Sequence, residues 1–271
     1  MSGDPLDLVP GGPVPASRRG GRVLDLIKVQ ARLRAPGGCP WDAEQTHRTL
    51  ARHLLEETHE LLEAIDADDD DAIRDELGDL LLQVTFHAQI AADEGRWDVD
   101  DVAEGLLRKL IHRHPHVFGH TEVADADEVL VNWERLKAEE TGGRRGVDED
   151  IPASLPALAR AAKVQRRAAG WGFAWRSKEQ ILGKLREEVG ELEEAWEDPA
   201  RAEEELGDVL LVVVAAARAL DLDAESALRR ATTKLALRAE RTLALAHERG
   251  LDLASMREAD VLALYREAKD A

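Results

Sequence analysis

Cysteine is nearly absent. Cys39 stands alone in 271 residues, so no internal disulfide can form, and the expectation is a reducing, cytoplasmic setting. Aromatic residues are only 4%, which leaves Leu, Ala and Val to build any core. Basic residues are outnumbered, 36 Lys and Arg against 55 Asp and Glu, for a net charge of -19. That balance argues against polymeric nucleic acid as a partner, because its affinity rests on cationic contacts to phosphate. It still permits a nucleotide held through a metal and a few local basic groups. No apolar run can span a bilayer: the most apolar, Val209 to Ala217, is too short and reads as a buried core helix. The first 22 residues are rich in Gly and Pro, with Arg18, Arg19 and Arg22, but have no apolar signal core. They read as a mobile tail. There is no G-x-x-x-x-G-K-[ST] loop, so P-loop phosphate binding is excluded. No segment alternates with period two, and the chain reads as all-α.

What is present in abundance is acid, and it is ordered. K-L-R-E-E-V-G-E-L-E-E-A-W-E from Lys184 is followed, after Asp198-Pro199, by A-E-E-E-L-G-D-V-L-L. Glu188 and Glu191 are three apart on one predicted helix, and Glu205 and Asp208 three apart on the next, so each pair shares a face. Leu185, Val189 and Leu192 flank the first pair; Leu206, Val209 and Leu210 flank the second. Those apolar neighbours are expected to pack inward. The short break makes the helices antiparallel neighbours, so the two acid pairs meet. Four carboxylates at one point disfavour each other's ionisation. A hard cation such as Mg2+ relieves this and sits readily between carboxylates and phosphates. A solvated acidic face is the plain alternative in so acidic a chain.

The pattern occurs twice. L-L-E-E-T-H-E-L-L-E-A-I and R-D-E-L-G-D-L-L-L place Glu57, Glu60, Glu76 and Asp79 opposite Glu188, Glu191, Glu205 and Asp208. Glu56 matches Glu187. The correspondence runs outward: Lys28-Val29-Gln30 with Lys163-Val164-Gln165, Lys109 and Arg113 with Lys234 and Arg238, Trp133 and Lys137 with Tyr265 and Lys269. A duplication that keeps acids and bases in order is hard to ascribe to solubility, and it divides the chain into two domains. Cys39 has no counterpart in the second copy, so it reads as a packed or turn residue. Asp66 to Asp71 lacks the Gly and terminal Glu of a calcium loop and reads as a solvated turn with a helix N-cap. His112, His114, His116 and His120 cluster, but without zinc-like spacing.

E-E-x-x-E with E-x-x-D, G-C-P-W-D at Gly38 to Asp42 and R-H-P-H-V-F at Arg113 to Phe118 together resemble the MazG nucleoside triphosphate pyrophosphohydrolases in their bacterial two-domain form. The resemblance covers roughly residues 23–270. It implies tandem MazG-like helical bundles: a tail over 1–22, domain 1 over 23–140, a linker over 141–157 and domain 2 over 158–271. It implies hydrolysis of a nucleoside triphosphate between the α- and β-phosphates, giving a monophosphate and pyrophosphate, in removal of surplus or aberrant nucleotides. The carboxylates then hold Mg2+, or Mn2+ in its place: Glu188, Glu191, Glu205 and Asp208 in domain 2, and Glu57, Glu60, Glu76 and Asp79 in domain 1. Glu187 and Glu188 are the catalytic candidates, with Glu187 supporting the metal or orienting water. Lys184, Lys234, Arg238 and Arg201 are positioned to meet phosphate, and Tyr265, where the family usually has Trp, to meet the base. His53 replaces Lys184 in domain 1, which favours domain 2 as the more active site. Family members associate as dimers through such helices, and a homodimer is expected.

Two readings compete. A di-iron carboxylate bundle uses Glu-x-x-His, which Glu56 and His59 match, but Gly190 takes the histidine's place in the second copy. A non-catalytic acidic scaffold predicts that Glu188→Gln changes nothing, or stabilises.

Overall fold

The computed structural model describes residues 20–125, 146–175 and 177–270, together with 128, 129, 132, 133, 136 and 139. Lys137, most of the expected tail and the first part of the linker lie outside the described residues. Every regular element among the described residues is helical. The chain divides into two compact units, Met1–Gly143 and Arg144–Ala271.

In the first unit, α1 spans Gly21–Arg34, α2 Pro40–Glu44, α3 His47–Ala67, α4 Asp70–Asp93, α5 Val99–Arg113 and α6 Pro115–Phe118. The main packing is α3 against α4, with α1 laid on α4. The acid run between α3 and α4 is the turn that makes them antiparallel. Asp68 ends α3 in the left-handed region (φ 55°), and the Asp69 side chain accepts from the Ala72 N–H at the start of α4. Leu50, Phe86 and Ile90 form a buried cluster with Leu82 against it; each such side chain contributes about 1.5–3 kcal/mol.

Pro40 opens the short helix α2 inside a Gly- and Pro-rich segment, at a position where its missing N–H costs nothing. Along α1, Val23 and Leu24 are exposed, Leu26, Ile27 and Leu33 are half-buried, and Asp25 and Gln30 are buried. Asp25 is held by Arg22 at 3.2 Å. Gly38 is required by backbone proximity, since a Cβ there would stand 2.2 Å from the Leu33 carbonyl oxygen. Arg34 pins the same segment, donating to the carbonyls of Asp42 (2.5 Å) and Gln45 (3.2 Å) and to Asp93 (2.6 Å).

In the second unit, α7 spans Ala157–Gly170, α8 Lys178–Glu194, α9 Pro199–Ala219, α10 Ala224–Glu248 and α11 Glu258–Asp270. The pair α8 and α9 packs as α3 and α4 do, and α7 lies on α9. Asp198 caps α9 with Pro199 in its first turn, and Asp223 caps α10 through the Ser226 N–H at 2.7 Å. Val212 and Val214 are fully buried, and Leu264 and Ala268 seat α11. α10 packs on α11, on α7 and on the end of α9.

Candidate active site

The antiparallel pairing of α8 and α9 brings Glu188, Glu205 and Asp208 together, with a carboxylate oxygen from each lying within 4.8 Å of the others. In the first unit α3 and α4 do the same with Glu57, Glu76 and Asp79. Helix spacing is the cause: Glu205 and Asp208 are one turn apart on α9, and Glu188 faces them across the interface. Neither set contains a histidine, the ligand a di-iron bundle needs.

Glu188 is 4% exposed although it is an acid. Its Oε1 receives Lys184 Nζ at 2.5 Å, one turn earlier on α8, and the same ammonium donates to Glu187 Oε1 at 2.8 Å. Its Oε2 is buried and receives no hydrogen bond. A buried carboxylate oxygen without a donor costs stability, and a cation is the group that would satisfy it. In the first unit the orphan is Glu76 Oε2, on the counterpart of Glu205. All-oxygen donors, carboxylate charge and an unsatisfied buried oxygen fit a hard divalent cation such as Mg2+.

Glu191 and Glu60 stand beside these sets. Burial first, then the Glu188 carboxylate against it and the charge of Glu205, pushes the Glu191 carboxyl up, while Lys184 opposes the shift. Glu57 is pushed up by burial and then by Asp79, Glu60 and Glu76. Glu76 is pushed up by burial and then by Glu60 and Asp79. Lys184 is held far above the usual lysine range by its hydrogen bonds to Glu187 and Glu188, so it is charged at any working pH. Arg201 reaches Glu205 at 3.5 Å and Glu194 at 3.8 Å.

The two units differ at the cation. His53, the counterpart of Lys184, pairs with Glu56 at 3.0 Å and sits under Trp41, its ring 6.2 Å away. No hydrogen bond or ion pair carries it to Glu57. The other basic candidates are not at the acids: among the described residues, Lys234, Arg238 and Tyr265 make no ion pair or hydrogen bond with the cluster. In the first unit, Arg113 lies over the Trp133 ring at 5.3 Å.

The apolar neighbours of the acids do not all turn inward. Leu185 and Leu192 are half-buried, but Val189, Leu206 and Leu210 are 40%, 49% and 43% exposed. The inward expectation fails for these three because, among the described residues of the second unit, no other element covers them.

Two features were not found from sequence. A cavity of about 510 Å³ in the second unit is lined by Gln165, Phe173, Trp175, Ile181, Leu211 and Arg218. Ile181 is one turn before Lys184 and Leu211 one turn after Asp208, so the cavity adjoins the acids along the same helix faces. Gln165 donates to the Leu211 carbonyl at 2.7 Å and accepts from Arg218 at 3.4 Å. The aromatic density of the G-W-G-F-A-W loop was the available signal. In the first unit, the His47 and His87 rings stack with their Nδ1 atoms 2.8 Å apart, and Arg96 meets the other nitrogen of His47.

Comparison with known proteins agrees with this duplicated geometry. The profile of the MazG nucleotide pyrophosphohydrolase domain matches twice, over residues 45–118 and 176–243. A nucleoside triphosphate pyrophosphohydrolase of Escherichia coli is 46% identical over 220 residues, covering 79% of this chain and 84% of that protein. The nucleoside triphosphate pyrophosphohydrolase/pyrophosphatase MazG of Thermotoga maritima is 44% identical over 218 residues, covering 80% and 84%. One from Mycobacterium tuberculosis is 46% identical over 161 residues, covering 59% and 48%.

Proposed function

The chain belongs to the MazG nucleotide pyrophosphohydrolase family, and from that premise we propose that it hydrolyses nucleoside triphosphates between the α- and β-phosphates to a monophosphate and pyrophosphate. The reaction is Mg2+-dependent, with Mn2+ able to substitute, and it serves to clear nucleotides from the cytoplasmic pool. The observation that carries this reading is Glu188: a buried carboxylate with one oxygen on Lys184 and the other unsatisfied, facing two more acids.

Glu188, Glu205 and Asp208 would hold the cation, with Glu191 beside them. When bound, the cation neutralises phosphate oxygens and lowers the pKa of water. Lys184 holds Glu187 and Glu188 in place, donating to an oxygen of each. Glu187, tethered through Oε1, offers Oε2 to the proton that leaves the attacking water. As that water adds, the bond between the α- and β-phosphates breaks. The cavity beyond Ile181 takes the nucleoside, and its apolar lining with few polar groups suits several bases. Arg201 is placed to approach phosphate by way of Glu205.

The acids of the first unit suit the same ion, but the counterpart of Lys184 there, His53, pairs with Glu56 rather than with Glu57. Domain 2, over 158–271, is therefore the principal site. Exposed apolar residues on α8, α9 and α10 need covering, and the protein works as a homodimer.

Anion-exchange analysis of products tests the reading. Wild type, Glu188→Ala and Glu57→Ala each meet a panel of ribo- and deoxyribonucleoside triphosphates with and without Mg2+. Monophosphate and pyrophosphate, lost in Glu188→Ala alone, is the expected result. Diphosphate and phosphate would mean a different bond is cut, and no turnover by wild type would leave an acidic scaffold.

A further inference from the structure

The cavity of the second unit is open because one side chain there is small. The two units align without a gap along α4 and α9. Glu76 and Asp79 match Glu205 and Asp208, so Leu82 matches Leu211, Phe86 matches Ala215 and Gln89 matches Arg218. On α3 and α8, Leu50 matches Ile181 in the same way. In the first unit these positions are core: Phe86 is 3% exposed and clusters with Leu50, with Leu82 packed against them. Their counterparts Ile181, Ala215 and Leu211 line the cavity of about 510 Å³. A phenylalanine ring thus fills in one unit the space that an alanine leaves open in the other. Protein interiors are close-packed, and a gap forfeits contacts along its walls. The second unit gives up packing that the first unit keeps.

The polar side chains on the cavity wall are Gln165, Trp175 and Arg218. Their hydrogen bonds fix what each has left to offer. Gln165 donates through Nε2 to the Leu211 carbonyl at 2.7 Å, and its Oε1 accepts from Arg218 Nη1 at 3.4 Å. Those partners settle the orientation of the amide, since a carbonyl cannot donate and a guanidinium cannot accept. The amide oxygen is turned to Arg218, and the remaining Nε2 hydrogen is a donor. An indole offers only an N–H, and a guanidinium only N–H groups. Arg218 is half-buried, and among the described residues no carboxylate pairs with it. Burial, and then the charge of Arg166, pushes it below the usual arginine range. Its counterpart Gln89 is tied instead to Asp93 at 2.7 Å. Arg218 therefore brings a cation with unused donors to the wall of an apolar cavity.

We propose that Arg218 reads the base of the bound nucleotide and selects bases with a carbonyl oxygen at purine position 6 or pyrimidine position 4. Guanine and hypoxanthine present O6 and N7 there, two acceptors that a guanidinium meets bidentately, and uracil and thymine present O4. Adenine and cytosine present an amino group instead, which turns its N–H toward the N–H groups of a cation. Ala215 leaves room for the ring, and Phe173 and Trp175 give it an aromatic wall. Arg218 stands ten residues beyond Asp208 on α9, roughly 15 Å along the helix, so phosphates at the acids and a base at Arg218 lie along one helix. The inference rests on the hydrolase reading above and its placement of the nucleoside, and adds the class of base.

Matched pairs of substrates test it. ITP and ATP differ at position 6, and UTP and CTP at position 4, with the same sugar and phosphates. In wild type, kcat/KM for ITP should exceed that for ATP by roughly 5- to 150-fold, the range of one good bidentate contact to a base, and UTP should exceed CTP in the same direction. Arg218→Met keeps the length of the side chain and removes its donors. It should erase both preferences by raising KM for ITP and UTP while kcat holds. Equal kcat/KM for ITP and ATP in wild type overturns the proposal, as do preferences unchanged in Arg218→Met. An arm independent of turnover uses titration calorimetry with IMP and AMP, which have no phosphoanhydride to cut. IMP should bind wild type more tightly than AMP, and Arg218→Met should bind the two alike. Ala215→Phe sets the first unit's ring into the cavity and should lose IMP binding while the second unit keeps its thermal transition; IMP binding equal to wild type overturns the proposal. If wild type hydrolyses nothing while IMP is preferred over AMP, the hydrolase reading fails and the base contact stands.

Discussion

Glu188→Gln should separate metal binding from fold. The substitution keeps the side chain's shape and an oxygen for Lys184. It removes one of three charges whose oxygens lie within 4.8 Å. At that distance each like-charge pair costs about 1–3 kcal/mol for an effective dielectric between that of water and ~20. Loss of the charged contact to Lys184 works in the opposite direction, so the metal-free variant should unfold close to wild type. Added Mg2+ should then divide them. At a concentration a hundredfold above its dissociation constant, an ion stabilises by about 2.7 kcal/mol. A variant with a hundredfold weaker site would keep only about 0.4 kcal/mol by the same relation. For a unit of this size the difference is roughly 8 °C in Tm. Calorimetry of both proteins in EDTA and in Mg2+ reads it directly, and the transition that moves belongs to the second unit. Equal Mg2+ shifts in wild type and variant would refute the assignment of Glu188 as a ligand. A wild type insensitive to Mg2+ and Mn2+ would refute the metal site.

Three further outcomes follow from particular contacts. Arg34→Met removes the donors to two backbone carbonyls and Asp93 and should destabilise the first unit by about 2–4 kcal/mol; a urea midpoint unchanged from wild type would show that Arg34 does not hold the 35–42 segment. His87 is pushed below the usual histidine value by burial and then by His47, so the unfolded chain takes up the proton more readily. Stability is therefore full above about pH 6.5 and falls as the pH drops below it; Tm of the first unit between pH 7.5 and 5.5 should decline less in His87→Gln, and parallel profiles would contradict this. Asp223→Ala removes the cap of α10 and should cost about 1 kcal/mol, with a loss of helicity by circular dichroism if α10 frays; the Asp223 carboxyl is held below its usual range by its hydrogen bonds to Ser226, so the capped helix keeps this contribution above about pH 4 and loses it below.

Much of the helical order was legible because it depends on neighbours in sequence. The acid run 66–71 does contain the turn between α3 and α4, with Asp69 capping α4, because short polar side chains reach their own backbone. The acid triads were legible too, since a three-residue spacing on two helices joined by a short turn leaves few alternatives. The contacts that depend on distant segments were not. His47 and His87 are far apart in the chain and meet only because α3 and α4 pack. Arg34 gives no sign in sequence that it will close the segment behind it. The apolar residues beside the acids were expected inside by their spacing, and three of them, Val189, Leu206 and Leu210, are outside, because spacing identifies a helix face but not whether another element covers it.

From the sequence by itself came the tandem all-helical organisation and the carboxylates that converge, since both follow from periodicity and repetition along one chain. Only the tertiary structure decided that Lys184 clamps Glu187 and Glu188 together and that Glu188 is buried with one oxygen unsatisfied. Burial and pairing are set by what packs across space, and a local pattern carries no record of the element on the other side.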